Sequence, residues 1–481
     1  MTSLGGTAAR GASITMAGQL VRLLARLVTL VVLARMLDAA DFGLVAMVTA
    51  IVGIGELIGD LGLSNAAIQS KDLSTQQRSN LFWISASIGL VVAGAAIAGA
   101  PLIAAVYGEP LLVGITIALS STFLLSGISA QHKASLARGL RFRALAIVET
   151  LPPIIGGVVA IMLASVYDNY WVLIAQQIAQ VAIATVLAWC FARWMPRLPR
   201  RTSGMRPLIT YGLHLLGAQT IAYASRNIDT IVTGVRFGAV ATGQYSRAFE
   251  LVINPLNQLN APSTRVATPV LSKLQDDTAR YNLFLLRGQK IMLVVVAPVL
   301  ACAIAVADPL IVVALGERWS AVTPIFQFLC VAGAIRLAAY ATYWIALSKG
   351  VTKLSLYVNL VSAPAFLICI LIGSSWGVVG IAGGFTAATL VTWIVSLIWY
   401  GRAAEAPARD LFLGAARVFF ATVPAAVLAW FASAAVDGTV LQMLSGVAVF
   451  LFVYVLTAIL VPIVRKDYAE AVSTAKLFGR R

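Results

Sequence analysis

Residues 13–36 read SITMAGQLVRLLARLVTLVVLARM, an apolar run of membrane-spanning length with Arg22 and Arg26 inside it. About 20 such residues cross ~30 Å of hydrocarbon as a helix. An arginine at the bilayer centre costs at least ~2.5–3.5 kcal/mol on insertion scales. Arg22 and Arg26 are four residues apart and share a helical face with Gln19, so that face must meet polar surroundings inside a bundle rather than lipid. A cationic interior in a membrane protein points to the handling of something anionic.

The rest of the chain has the same character. Of 481 residues, 60% are hydrophobic and 11% charged, where soluble domains carry roughly 25% charged residues. Fourteen apolar runs follow one another from 13–36 to 441–464, which predicts an all-α polytopic membrane protein with both termini on one side. With the N-terminus in the cytoplasm, 27 of the 35 lysines and arginines fall on cytoplasmic tails and links, and only Arg236 and Arg318 on the opposite ones. That asymmetry fixes the expected orientation. The net charge of +16 therefore records topology, and no basic domain with interleaved aromatics marks a nucleic-acid partner. The basic stretch RWMPRLPRRTSGMRP at 193–207 reads as a cytoplasmic linker between two six-helix lobes, lying on the anionic headgroups of membrane lipids.

Enzyme chemistry is poorly supplied. Cys190, Cys302, Cys330 and Cys369 lie in apolar runs without paired or metal-ligand spacing, and His132 and His214 are the only histidines. There is no Walker-type phosphate loop, no motif calling for a cofactor or metal, and no cleavable signal peptide. The outer links are short, the longest being about 308–323. That counts against a membrane enzyme of polysaccharide assembly, which needs room for a catalytic site.

Awkward polar residues concentrate in few runs. Besides Gln19, Arg22 and Arg26, the candidates to meet substrate are Gln219 and Arg226 in the seventh run, Arg247, Asn254 and Asn257 in the eighth, and Arg336 in the tenth. Arginine forks suit phosphate and carboxylate oxygens. Arg247, Glu250, Asn254 and Asn257 form one helical stripe. Glu56, Asp229 and Glu250 are candidates for ion pairing or for carrying a coupling H+ or Na+. Glu56 is set to pair with Arg22 or Arg26, and Asp229 and Glu250 with Arg226 and Arg247 at helix-neighbour spacing. Glu149, near a basic link, reads as interfacial. A weak internal repeat also shows: Arg35 leads into Gly43-Leu44-Val45, and Arg236 into Gly243-Gln244-Tyr245. Repeated halves are common in membrane transporters.

Several stretches resemble the Wzx-type polysaccharide flippases of the multidrug/oligosaccharidyl-lipid/polysaccharide exporter superfamily, especially the colanic-acid-exporter-like branch. They are Ala34-Arg35-Met36-Leu37 through Asp41-Phe42-Gly43-Leu44, Asp60-Leu61-Gly62-Leu63-Ser64-Asn65-Ala66-Ala67-Ile68-Gln69, Leu271-Ser272-Lys273-Leu274-Gln275-Asp276-Asp277 and Gly316-Glu317-Arg318-Trp319. The resemblance implies two six-helix lobes around a central cavity, here residues 1–192 and 208–400, with two extra helices and a basic tail in 401–481. It implies that helices 1, 2, 7 and 8 line the cavity. It further implies that the cargo is an undecaprenyl-pyrophosphate-linked oligosaccharide crossing the bacterial inner membrane, later taken up by a polymerase and export machinery. A drug/cation antiporter of the superfamily would want a carboxylate-dominated interior, which the arginine excess opposes; a peptidoglycan-precursor flippase is closer in chemistry.

Overall fold

The computed structural model describes residues 2–465 apart from 61, 71, 201–204 and 463, together with residue 470. The side chains of 2–16, most of 211–226 and a few other helical positions lie outside that description. The described residues form fifteen α-helices: α1 (Thr2–Met36), α2 (Ala39–Asp60), α3 (Leu63–Gln69), α4 (Thr75–Tyr107), α5 (Leu112–Arg138), α6 (Phe142–Ala164), α7 (Trp171–Ala192), α8 (Met205–Lys273), α9 (Thr278–Ala305), α10 (Ala307–Leu315), α11 (Val322–Ser348), α12 (Thr352–Gly373), α13 (Gly377–Ala403), α14 (Ala408–Ala434) and α15 (Thr439–Leu460). α8 is two helices joined at Gly238, whose φ of 77° and ψ of −170° suit glycine alone. With α3 and α10 only seven and nine residues long, fourteen long helices remain among the described residues, one for each apolar run.

Among the described residues eleven stretches are long and apolar enough to cross a bilayer, one of which, Tyr357–Ala403, holds most of α12 and all of α13. The second arm of α8 falls short of that measure because it carries Arg247, Glu250, Asn254 and Asn257. By the sequence, Arg236 belongs to an outer link between the seventh and eighth apolar runs, 232–242. In the structure helix continues through that interval except at Gly238, since it holds no proline and one residue with positive φ is enough for the joint. Large apolar side chains stand outside the long helices, with Leu102 69%, Phe420 75% and Phe452 69% exposed. The bilayer is the solvent those faces are built for.

Two compact units divide the chain, Met1–Ser246 and Arg247–Arg481. In the first, α4 and α5 cross through small residues. A Cβ added at Gly89 would lie 2.6 Å from the carbonyl oxygen of Phe123, and one at Gly127 would lie 2.6 Å from that of Ser85. In lipid, where helix association draws no gain from excluding water, such backbone approach is what packs helices. Met47, Val48, Leu112, Ile115 and Phe123 fill the core between α2 and α5. α1 lies on α6, where the Thr150 hydroxyl donates to the Gly18 carbonyl at 3.3 Å.

The first arm of α8 and the start of its second arm pack on α2. Tyr223 donates to the Thr49 carbonyl at 2.8 Å. Gly43 faces Ala239, and Gly243 faces Ala39, each so closely that a Cβ on either glycine would overlap the opposing carbonyl. The two contacts are related by a shift of 200 residues, so the weak repeat read from the sequence is a reciprocal crossing.

The basic link is no loose tether in its first half. Residues 194–200 run without helix or strand along the first turns of α4. The Ser79 hydroxyl accepts from Arg197 N at 3.1 Å and Trp83 Nε1 donates to the Arg197 carbonyl at 2.9 Å. Asn80 holds Arg200 at both backbone groups, at 3.1 and 2.7 Å. Pro196 and Pro199 have no N–H to donate, so side chains on α4 take the place of a backbone ladder.

In the second unit α9 packs against α11 and α14, and α13 against α11 and α12. Buried Gln289 donates to the Ala338 carbonyl at 2.9 Å, and buried Tyr340 to the Leu256 carbonyl at 3.0 Å. Gly384 meets the backbone of Cys369 and Ile370, which closes α13 onto α12.

Candidate functional site

The polar residues that the sequence singles out in the first unit lie on α1, α2, α6 and α8. Arg22 projects from α1 and reaches Glu149 on α6, Nη1 to Oε2 3.8 Å, with the two side chains 23% and 42% exposed. Its Nε is buried with no hydrogen-bond partner. A single long contact leaves most of a five-donor guanidinium uncommitted to the carboxylate. Arg26, one turn on, is exposed and Gln19 half-buried. The acidic partner of Arg22 is thus Glu149, which the sequence reading had set at the interface. Its signal was its place inside the apolar run 144–166; its nearness to Arg141 and Arg143 masked it. Glu56 is exposed on α2, two turns beyond Thr49, whose carbonyl holds Tyr223.

Asp229 has a different setting. It is 1% exposed and accepts from the Tyr245 hydroxyl at 2.7 Å and from Thr230 N at 2.8 Å. Tyr245 is itself fully buried. The pair ties the two arms of α8 across Gly238, and the sequence marked neither Tyr223 nor Tyr245 as a candidate functional residue. Gln219 is half-buried on the first arm. The side chain of Arg226 lies outside the described residues, as does that of His214.

In the second unit Arg247 pairs with Glu250 at 2.6 Å, the arginine 14% and the glutamate 39% exposed, as helix-neighbour spacing predicts. Arg336 on α11 donates from Nη2 to Asn257 Oδ1 at 2.8 Å. Asn254 and Asn257 are both exposed on the second arm of α8. Arg247, Glu250 and Asn257 therefore lie along one stripe that α11 extends through Arg336. Three of the candidate arginines are engaged by an acidic or amide partner from this same chain. An arginine engaged in this way is held in place and can exchange its partner for an oxyanion of better geometry. Among the described residues no group of three His, Cys, Asp or Glu is placed to hold a metal ion.

A family described as polysaccharide biosynthesis protein matches residues 32–324. The lipopolysaccharide biosynthesis protein WzxC of Escherichia coli (strain K12) is 26% identical over 373 residues, 77% of this chain and 76% of that protein. The succinoglycan biosynthesis transport protein ExoT of Rhizobium meliloti (strain 1021) is 23% identical over 310 residues, 64% of this chain and 63% of that protein. Among solved structures, the lipid II flippase MurJ in an inward closed conformation matches with a TM-score of 0.72 at 13% identity, over 92% of this chain and 97% of that one. An inward-facing MATE family multidrug resistance transporter matches with a TM-score of 0.56 at 16% identity, over 81% and 95%. At these identities the structural likeness speaks for the fold, which is the one the sequence resemblance implied.

Proposed function

Since the chain belongs to the polysaccharide biosynthesis protein family, we propose that it is a flippase, and not an enzyme, for a lipid-linked oligosaccharide. The cargo is an undecaprenyl-pyrophosphate-linked repeat unit of a surface polysaccharide, moved from the inner to the outer leaflet of the bacterial inner membrane. Both termini face the cytoplasm in this reading. A pyrophosphate and a sugar chain cannot cross ~30 Å of hydrocarbon unaided. Alternating access presents the binding side chains to one leaflet at a time while the polyprenyl tail stays in lipid.

The observation that carries the reading is Arg22, a guanidinium within a membrane-crossing helix that meets, among the described residues, a single carboxylate, Glu149, at the long distance of 3.8 Å. The pyrophosphate displaces Glu149 and takes Arg22 and Arg26 in paired, charge-assisted bonds. Gln19 and Gln219 in the first unit and Asn254 and Asn257 in the second are the amides suited to sugar hydroxyls, and Arg226, Arg247 and Arg336 are the further cations suited to an anionic head group. Of the three carboxylates proposed for ion coupling, Glu56 and Glu250 are open enough to carry a proton or sodium ion. Asp229, closed in by Tyr245, holds the α8 joint instead. A polymerase and export machinery consume the flipped product.

The test is mass spectrometry of lipid-linked sugars from a strain lacking the gene, complemented with the parent or with Arg22→Ala/Arg26→Ala. Build-up of a polyprenyl-pyrophosphate oligosaccharide with loss of surface polysaccharide, restored by the parent and not by the membrane-inserted double variant, is expected. Full export by the double variant would overturn the role given to the two arginines. An unchanged lipid-linked pool in a strain with no second flippase would overturn the function.

A further inference from the structure

The first half of the basic link is held by its backbone and leaves its charges outward. α7 gives way at Arg193, whose φ of 52° turns the chain onto α4. Beyond it, besides the contacts of Ser79, Asn80 and Trp83 already described, Gln76 Nε2 donates to the Leu198 carbonyl at 2.9 Å. Trp194 adds a side-chain anchor: its ring stacks with His132, 4.7 Å between centroids, and lies 4.0 Å from the Arg78 guanidinium. Arg193, Arg197 and Arg200 are exposed and form no ion pair with a described residue. Between them Met195 and Leu198 are each 75% exposed.

The depth of this strap in the membrane follows from α4. That helix has 33 residues and is about 50 Å long, against ~30 Å of hydrocarbon. Its opening residues, TQQRSN at 75–80, are polar, and its apolar run starts at Leu81. The side chains that hold the strap, from Gln76 to Trp83, straddle that boundary. Trp83 is 38% exposed, in keeping with the aromatic side chains that gather at headgroup level. A soluble acidic protein would also suit the three arginines, but not two large apolar side chains standing bare among them at this depth. A bilayer surface supplies both partners, phosphates for the guanidiniums and acyl chains for Met195 and Leu198.

We propose that residues 193–200 are a preformed docking surface for anionic phospholipid headgroups. Arg193, Arg197 and Arg200 meet the phosphates, and Met195 and Leu198 dip beneath them. The orientation proposed above puts this surface in the cytoplasmic leaflet. Because α4 fixes the backbone beforehand, little ordering is left to be done on binding. The same arginines on a loose segment therefore hold headgroups less tightly, which separates this arrangement from the general attraction of basic links to anionic lipid. Once occupied, the surface fastens the link between the sixth and seventh apolar runs to the membrane as well as to α4.

The full-length protein, freed of its cysteines and carrying Leu198→Cys labelled with a polarity-sensitive dye, is placed in nanodiscs of phosphatidylcholine with rising fractions of phosphatidylglycerol. Emission, and its quenching by a nitroxide on the lipid chains, are read. The expected result is a blue shift and stronger quenching as phosphatidylglycerol rises, reversed by high salt. Arg197→Gln, a surface change, moves the half-response to about fivefold more phosphatidylglycerol, the worth of one charge at such a surface. Ser79→Ala/Asn80→Ala keeps every charge and frees the backbone, and its half-response moves severalfold in the same direction. A label that stays in water at every composition overturns the docking and leaves the strap to a soluble acidic partner. An unchanged half-response in Ser79→Ala/Asn80→Ala overturns the preformed surface in favour of charge attraction alone. The cargo takes no part in the measurement, so its outcome is independent of the flippase reading.

Discussion

The reciprocal crossing of Gly43 and Gly243 offers a test of alternating access that needs no knowledge of the cargo. A Cβ added at Gly43 lies 2.6 Å from the carbonyl carbon of Ala239 and 2.9 Å from Gly243 N. Non-bonded carbons settle at about 3.5–4.0 Å, and the Ala239 carbonyl oxygen lies closer still to the added Cβ, so Gly43→Ala must part the two segments by more than about 1 Å. Overpacking of this kind costs ~1–3 kcal/mol. If the crossing opens during the transport cycle, that cost falls on the closed state alone, and the open population rises about 5–150-fold. Met47, one turn from Gly43 and fully buried, reports the opening. In a chain freed of Cys190, Cys302, Cys330 and Cys369, Met47→Cys reacts with a soluble maleimide at a rate that follows the open population. The expected result is faster labelling in Gly43→Ala and in Gly243→Ala, with slower export. A second signature follows from the geometry. Once one methyl has parted the crossing, the second has little left to displace, so the double variant shifts labelling by less than the product of the single effects. Labelling unchanged within twofold, in protein that remains folded, would falsify the claim that this crossing opens.

Glu149→Gln removes the carboxylate facing Arg22 and is expected to tighten binding of a soluble pyrophosphate-sugar analogue, measured by calorimetry on the purified protein; unchanged or weaker affinity refutes displacement of Glu149 by substrate. Asn80→Ala takes away both backbone contacts to Arg200 and should speed tryptic cleavage in the 193–200 segment severalfold in inside-out vesicles, with the unfolding temperature nearly unchanged. Tyr245→Phe deletes the hydroxyl that donates to buried Asp229 and should destabilise the protein by ~1–3 kcal/mol, read as a lower unfolding temperature.

The long helices were legible because a membrane helix must bury its backbone in itself and its apolar length is written locally. Arg22 and Arg26 were legible as a polar face for the same reason, since spacing along one helix is a local property. The partner of Arg22 was not. Glu149 lies on another helix, and nothing in residues 13–36 distinguishes it from Glu56 as an ion-pair partner. α3 escaped notice because seven residues are too few to show a period. The pinned segment 193–200 was read only as charge, yet its position is set by Ser79, Asn80 and Trp83, three side chains of α4 whose neighbours conceal them as ordinary helix residues. The glycines at 43 and 243 stood out through their flanking pattern, while the fact that they face each other required the fold.

The contact those glycines make has the form of an isologous interface, in which one patch meets its own equivalent across a two-fold axis. In a dimer of identical chains every substitution at such a patch acts twice. Within a single polypeptide the two sides are free of each other: a larger residue on one can be met by a smaller one opposite. The flanks have used that freedom, with Phe42 and Leu44 on one side against Thr242 and Gln244 on the other. Glycine stands at both points where the backbones touch, the one place where asymmetry has nothing to trim.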